Sequence, residues 1–342
     1  SEKRLIETPL LRTFPKSPFI PECKEERDSS SEDVITIQAL GLKKRMAHTG
    51  CKYAIVGLSG GLDSTLAAIV ICRTMDMLGL SRENVIAVTM PCFGTTGRTY
   101  HNAIKLAKEL GITLREINIK ESVLSHLKDI GHDVNDHNVT FENAQARERT
   151  QVLMDLANEY GGLVIGTGDM SELALGFATY NGDHMSMYGV NASIPKTLVR
   201  QLVRHAAERA LEDGKKELSD VLTDIVETPV SPELLPTNDD GETEQKTEAI
   251  VGPYELNDFF LYNMVRWGME PDKLYRIACL TFADEYTKEE IEKWLKSFYR
   301  RFFAQQYKRS CLPDGPKVGS VTLSPRGDFR MPSDAVGDLW LK

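Results

Sequence analysis

Four short apolar runs mark the first half of the chain, at residues 53–58, 85–90, 112–119 and 163–167. Each is too short for a helix; 53–58, 85–90 and 163–167 are continuous, as expected of strands buried on both faces, while 112–119 mixes apolar and polar residues. The stretches between them carry helical spacing. Ala103, Leu106, Ala107 and Leu110 recur at i, i+3, i+4 and i+7, as do Leu153, Leu156, Ala157 and Tyr160. This pattern predicts helices over 33–48, 63–78, 98–110, 142–160, 171–176 and 196–213, and again over 255–267, 270–278 and 287–306. Strand–helix alternation predicts an α/β fold built on a doubly wound parallel sheet. Such sheets bind ligands beyond the carboxyl ends of their strands. The later helices are dense in aromatics, among them Tyr254, Phe259, Phe260, Trp267, Trp294, Phe298 and Phe302, read as core or subunit interface.

The first apolar run leads into Gly57-Leu58-Ser59-Gly60-Gly61-Leu62-Asp63-Ser64, and an apolar helix follows. Glycine lets backbone approach a ligand closely and reach positive φ. The first turn of a helix offers unpaired N–H groups and a partial positive charge. Together they make an anion site suited to phosphate. Asp63 fits beside phosphate only with a divalent cation between them, which makes it a candidate Mg²⁺ ligand. The alternative is a glycine-rich turn that serves tight packing alone. The turn is neither a Walker loop, since no Lys follows the glycines, nor G-x-G-x-x-G. It resembles the pyrophosphate-binding loop of the ATP-pyrophosphatases, which cleave ATP between the α and β phosphates and adenylate a substrate.

Further polar residues cluster where the predicted elements meet. Asn143 and Arg147 are four apart at the start of one helix and project from one face, with Arg149 nearby. Thr167 ends the fourth strand, and Asp169 and Glu172 come just after it. Glu172 is a candidate second carboxylate for the metal of Asp63; alternatively, Asp169 or Glu172 serves to favour a helix N-terminus. Asp183 lies in the turn Tyr180-Asn181-Gly182-Asp183. Lys196 follows Pro195 and opens a basic helix face with Arg200 and Arg204; of the three, Lys196 is the candidate phosphate ligand.

The whole-chain properties narrow the class. With 342 residues, 41% of them hydrophobic, the chain can build one large or two small cores. A net charge of −9 argues against a nucleic-acid partner that needs a broad basic face. The six cysteines are scattered without a C-x-x-C pair, which argues against zinc or iron–sulfur sites and fits a reducing, cytoplasmic setting. There is no signal peptide and no apolar run long enough to span a bilayer, so no membrane partner is expected. Residue 1 is Ser, and Pro9, Pro15, Pro18 and Pro21 precede a charged run over 22–33. That composition predicts a linker or N-terminal extension over 1–32 and a domain cut from a longer protein. Residues 227–253, rich in Pro, Thr, Asp, Glu and Gly, are too long for a simple connector and read as either a candidate mobile lid or a disordered segment. An irregular tail is expected over 313–342.

Several separated motifs, in order, resemble the NAD⁺ synthetases. They are Ser59-Gly60-Gly61-Leu62-Asp63-Ser64, Glu142-Asn143-Ala144-Gln145-Ala146-Arg147, Gly166-Thr167-Gly168-Asp169-Met170-Ser171-Glu172, Phe177-Ala178-Thr179-Tyr180-Asn181-Gly182-Asp183, Pro195-Lys196-Thr197-Leu198-Val199 and Leu323-Ser324-Pro325-Arg326-Gly327-Asp328. The similarity runs from about residue 33 to the end, with the synthetase domain over 33–312. The long C-terminal region resembles the glutamine-dependent, two-domain form, in which a nitrilase-like glutaminase precedes the synthetase. This chain has no room for the glutaminase.

The resemblance implies a Rossmann-like adenine nucleotide alpha hydrolase-like fold with C-terminal helices. It implies ATP-dependent amidation of deamido-NAD to NAD⁺ through an acyl-adenylate, with release of AMP and pyrophosphate. The chain alone would use ammonia. Gly57, Leu58, Ser59, Gly60, Gly61, Leu62, Asp63 and Ser64 would bind ATP, with Thr167 also touching it. Asp63 and Glu172 would hold Mg²⁺. Asn143, Arg147 and Glu172 would bind deamido-NAD, with Phe177, Ala178, Thr179 and Tyr180 lining its site and Asp183 near the reacting carboxyl end. Lys196, Ser231 and Lys308 would contact phosphates, and residues 95–98 suit an adenine-side loop. Asp63, Asp183 and Lys196 are the candidate catalytic residues, and a homodimer is implied. A GMP synthetase-like amidotransferase, a tRNA-modifying relative and a non-catalytic nucleotide sensor are the competing readings. The first lacks motifs matching 143–147 and 177–183, the second lacks basic surface and paired cysteines, and the third does not need both metal ligands.

Overall fold

Five strands form the sheet of the computed structural model, which describes residues 11–93, 97–229 and 247–341. They are β1 (Ala54–Gly57), β2 (Val85–Thr89), β3 (Thr113–Glu116), β4 (Leu163–Gly166) and β5 (Tyr188–Gly189). Their spatial order is β3-β2-β1-β4-β5, and every neighbouring pair is parallel. Ala54 of β1 sits opposite Val85 on one side and Leu163 on the other. The chain first winds outward from β1 to β3, then restarts beyond β1 with β4. The gap between the carboxyl ends of β1 and β4 is therefore the topological switch point, where such sheets open a crevice.

Helices α1 (Lys24–Thr49), α2 (Leu62–Leu78), α3 (Gly97–Leu110), α4 (Lys120–Asp129), α5 (Val139–Tyr160), α6 (Met170–Leu175), α7 (Lys196–Glu212) and α8 (Lys216–Glu227) surround the sheet. The apolar strands serve two cores because successive side chains point to opposite faces. Ala54, Val56, Val85 and Ala87 pack with Leu66 and Val70 of α2, Leu42 of α1 and Leu202 of α7. Ile55, Ile86, Val88 and Val164 face the other way, against Val123 and Leu127 of α4 and Phe141 and Ala157 of α5. A third core is helical. It joins α6 to α9 (Thr247–Val251), α10 (Tyr254–Trp267), α11 (Pro271–Thr281), α12 (Lys288–Ala304) and the short α13 (Gln306–Arg309). Phe259, Phe260, Phe298 and Phe302 fill it, so most of the aromatics are core; Trp267 alone of that group is half exposed.

The elements differ from the sequence expectation in several places. α1 begins at Lys24, inside the stretch whose charge predicts a linker. Its polar first turns carry Glu25 and Glu26, favourable at a helix N-terminus, while Ile35, Ala39, Leu42 and Met46 bury its other end. α4 buries only Val123 and Leu127, too thin a stripe to read as a helix. α8 buries Val221, Leu222, Ile225 and Val226 and lies outside the predicted helices. β5 is two residues long. The 313–342 segment is tied down over much of its length: Gly189 N–H donates to Asp314 O at 2.8 Å, and Val321 and Leu323 are buried. Most of the 227–253 segment lies outside the described residues, as do Ser231, Thr95 and Thr96. Among the described residues no helix is long and apolar enough to cross a membrane.

Candidate active site

At the end of β1 the chain turns sharply into α2. Leu58 N–H still donates to Val88 O at 2.9 Å, and then Gly60 takes a left-handed φ of +85°. Gly61 stands at the N-cap of α2, and no side chain caps the helix. Ser59 Oγ accepts from Gly61 N–H at 3.2 Å and lies 3.3 Å from Ser64 Oγ. The helix thus begins with its N–H groups turned toward the crevice and two hydroxyls beside them, the local form of an anion site. Asp63 sits in that first turn.

The end of β4 faces it. Asp169 caps α6 and forms a capping box with Glu172, each side chain accepting from the other residue's backbone N–H. Both carboxylates therefore serve the helix start, and each keeps an oxygen for other use. α7 begins at Lys196, directly after Pro195, which fits a helix start because Pro needs no N–H partner. Lys196 Nζ is 2.6 Å from Asp63 Oδ2, 2.7 Å from Asp169 Oδ2 and 3.1 Å from Glu172 Oε1. Three separated motifs therefore meet on one ammonium. Asn191, fully buried in the loop after β5, donates from Nδ2 to the carbonyls of Asp63 and Thr167, both at 3.0 Å, and so ties the two strand ends together.

The charges in this cluster do not balance. Burial opposes the charge of Lys196, but Asp169, Asp63 and Glu172 outweigh it and hold the ammonium well above the ordinary lysine value. Burial pushes Asp169 well up against the pull of Lys196, and pushes Glu172 to about 7. The lysine is thus the charged partner, and any shared proton sits on the carboxylates. Glu172 keeps 22% of its side chain open to the pocket, so water moderates its shift. An acid whose folded value lies above its unfolded one gives stability that is complete at low pH and lost as pH rises through the folded value. In chelating buffer the Tm is expected to fall by a few degrees between about pH 5 and about pH 8, and Glu172→Gln to flatten that fall. Thermal scans of both proteins check this; parallel curves would exclude Glu172 as the titrating group.

A cavity of about 350 Å³ opens over the cluster. Among the sequence-predicted residues it is lined by Gly57, Leu58, Ser59, Gly61, Leu62, Asp63, Ser64, Thr167, Glu172, Phe177 and Asp183. Thr228 and Thr247, on either side of the 230–246 segment, also line it. Crowding by protein pushes the Asp183 carboxyl upward, but the residue is exposed to the pocket and water screens that effect. One Asp183 oxygen accepts from Thr179 N–H at 2.7 Å.

The other predicted residues lie to one side of this cavity. Asn143 Oδ1 accepts from Thr179 Oγ1 at 2.7 Å, and Arg147 donates to Tyr180 O at 3.3 Å. Both brace the 177–183 loop. Ala178 lines a smaller cavity behind Asp183. Lys308 donates to the carbonyls of Gly176 and Ala178 at 2.8 and 2.6 Å, so its ammonium is engaged with backbone. Arg98 pairs with Asp224 at 2.6 Å. Sequence reasoning missed Tyr254 as a site residue. It lines the cavity, its ring centre is 5.4 Å from Lys196 Nζ, and its buried hydroxyl has no hydrogen-bond partner among the described residues. It also missed Asn191, which lies beyond the last predicted strand and carries no motif of its own.

Fold and site define a doubly wound α/β protein with a charged pocket at its switch point. More particularly, the chain belongs to the NAD synthase family: residues 34–301 match that family's sequence profile. It is 41% identical, over 97% of its length, to the glutamine-dependent NAD(+) synthetase of Mycobacterium leprae, covering 52% of that protein. The chain thus spans about half the length of the curated relatives it matches. In structure it is similar to a glutamine-dependent NAD(+) synthetase from Cytophaga hutchinsonii, with a TM-score of 0.73 at 20% identity over 91% of this chain and 55% of the other. An NMN synthetase from Francisella tularensis shares the fold at a TM-score of 0.54 and 24% identity, over 75% of this chain and 93% of the other.

Proposed function

We propose that this chain amidates deamido-NAD to NAD⁺ with ATP and ammonia, through an acyl-adenylate. The observation that carries the proposal is the meeting of Asp63, Glu172 and Lys196, from three separated motifs, beside a glycine-rich helix start. A carboxylate does not react with ammonia at neutral pH because its oxygen is a poor leaving group. The nicotinic acid carboxylate attacks the α-phosphorus of ATP and pyrophosphate leaves. Ammonia then attacks the acyl carbon and AMP leaves. The turn from Gly57 to Ser64 and the side chain of Thr167 bind the ATP, with the free N–H groups of α2 on its phosphates. Lys196 supplies positive charge next to the departing pyrophosphate. Asp183 and Phe177 lie at the reacting carboxyl end. Asn143, Arg147, Ala178, Thr179 and Tyr180 form the dinucleotide side of the site. Lys308 acts by holding that loop, and Ser231 is the further phosphate contact.

The residues present fit Mg²⁺. Ligand atoms of Asp63, Asp169 and Glu172 lie within 4.8 Å of one another, and Asp63 Oδ1 is buried without a hydrogen-bond partner among the described residues. Three carboxylates against one ammonium leave an excess negative charge that a divalent cation would cancel. Asp63 and Glu172 would hold the ion, which neutralises phosphate charge when bound. Asp63→Asn is expected to lower adenylation by about 10²–10³-fold with the fold intact; pyrophosphate release near the wild-type rate would remove Asp63 from the metal site.

In the longer protein the ammonia would come from glutamine through a glutaminase segment, and the synthetase would work as a homodimer. The six scattered cysteines, with no C-x-x-C pair, support a cytoplasmic setting. The test is NAD⁺ formation from deamido-NAD and Mg·ATP with ammonium or glutamine, with deamido-NMN as the alternative acceptor. Product from deamido-NAD with ammonium supports the reading. Product from the mononucleotide alone, or none with ATP still bound, would overturn it.

A further inference from the structure

Lys196 is held by more than its ion pairs. Asp258, on α10, is almost fully buried in the helical core yet reaches across to the sheet domain. Its Oδ2 accepts from Thr197 N–H at 3.0 Å and from Thr197 Oγ1 at 2.7 Å. Its Oδ1 accepts from the hydroxyl of Ser171, and that hydroxyl in turn accepts from Lys196 N–H at 2.8 Å. α7 has no side-chain cap of its own from Pro195. Asp258 supplies one from 61 residues away, and satisfies the N–H groups of both Lys196 and Thr197, one through Ser171 and one directly. Ser171 is the neighbour of Glu172, so the same carboxylate ties the helix carrying Glu172 to the helix carrying Lys196.

We propose that Asp258 is a positioning residue for the amidation reaction: it fixes the starts of α6 and α7 so that the Lys196 ammonium lies among Asp63, Asp169 and Glu172. The inference rests on the functional reading above. Burial pushes the Asp258 carboxyl to about 6, against the Ser171 and Thr197 hydrogen bonds that favour its charge, so it is ionised at neutral pH. An ionised acceptor is what two hydroxyls and a helix N-terminus favour. Tyr254 is one helical turn before Asp258 on α10, and its ring covers the Lys196 ammonium from the same side. One face of a helix from the third core therefore both covers and anchors the site's central cation.

The measurement is steady-state NAD⁺ formation by Asp258→Ala and Thr197→Val in this chain, with KM for ATP and deamido-NAD, alongside crystal structures of the variants. Misplacing a catalytic group by about 1 Å costs on the order of a hundredfold. Asp258→Ala is therefore expected to lose about a hundredfold in kcat while the KM for deamido-NAD stays unchanged. Thr197→Val, which keeps the carboxylate and the side-chain shape, is expected to lose about tenfold. A loss explained by unfolding alone would instead be regained on cooling and would leave kcat per folded molecule unchanged, which overturns the proposal. If Asp258→Ala does not fold, Thr197→Val decides. If the wild-type chain makes no NAD⁺, the functional reading fails separately, and the structures judge Asp258. Lys196 Nζ displaced from the three carboxylates supports the anchoring role; Nζ still within ion-pair distance of all three refutes it.

Discussion

Lys196→Met is expected to reduce NAD⁺ formation by at least about 10²–10³-fold, the loss seen when one preorganised electrostatic contact is removed from a reacting centre. The same change should lower stability, because Asp63, Asp169 and Glu172 would lose their shared cation. Removing one partner from a buried ionic cluster typically costs about 3–5 kcal/mol. That cost depends on pH. Asp169 and Glu172 already sit above their ordinary values, and without the ammonium they take up protons more readily. The stability loss should therefore be small in mild acid and grow toward alkaline pH. Thermal scans across pH and a coupled NAD⁺ assay check both parts. Activity within about tenfold of wild type would remove Lys196 from the chemistry.

Gly60→Ala is expected to be nearly as damaging, by a different route. Gly60 has φ +85°, and a Cβ there would lie 2.0 Å from the backbone oxygen of Thr99 and 3.1 Å from Ala103 N. The left-handed conformation costs a residue with a Cβ about 1–2 kcal/mol. The clash adds to this, because the obstacle is the backbone of α3 and not a side chain that can swing away. The turn must open, and with it the alignment of Ser59, Gly61 and Ser64. ATP affinity should fall more than about tenfold, since a small shift at several N–H donors weakens each contact at once. Gly214→Ala is the control. It has φ +76° with nothing within 4 Å of the added Cβ, so it carries the backbone strain alone and should leave ATP binding untouched. Equal effects of the two substitutions on ATP binding would show that contact with Thr99 is irrelevant.

Part of the fold and part of the site are legible in the amino-acid sequence. Buried parallel strands are continuous apolar runs, so residues 54–57, 85–89 and 163–166 stand out. The turn at Gly60 is readable because few residues other than glycine adopt its backbone, and Lys196 because it opens a helix after Pro195. α4 and the start of α1 are not legible, because each buries too few apolar positions to stand out from a polar face. The family resemblance implies that Lys308 contacts phosphate, yet its ammonium is spent on two carbonyls. A motif specifies residue type and spacing, and which atoms a long side chain reaches depends on its neighbours.

The amino-acid order alone settles the class of fold, the glycine turn at the end of β1 and the identity of the charged residues, since periodicity, φ preference and charge are local properties. It does not settle that Asp63, Asp169, Glu172 and Lys196 converge, that Asn191 joins two strand ends, or that Asp258 caps a helix 61 positions earlier. Those relations depend on the strand order β3-β2-β1-β4-β5 and on how the helical core docks against it. They are long-range contacts made by buried polar groups, which must find partners wherever the packed chain provides them, and no repeat or spacing along the sequence records where that is.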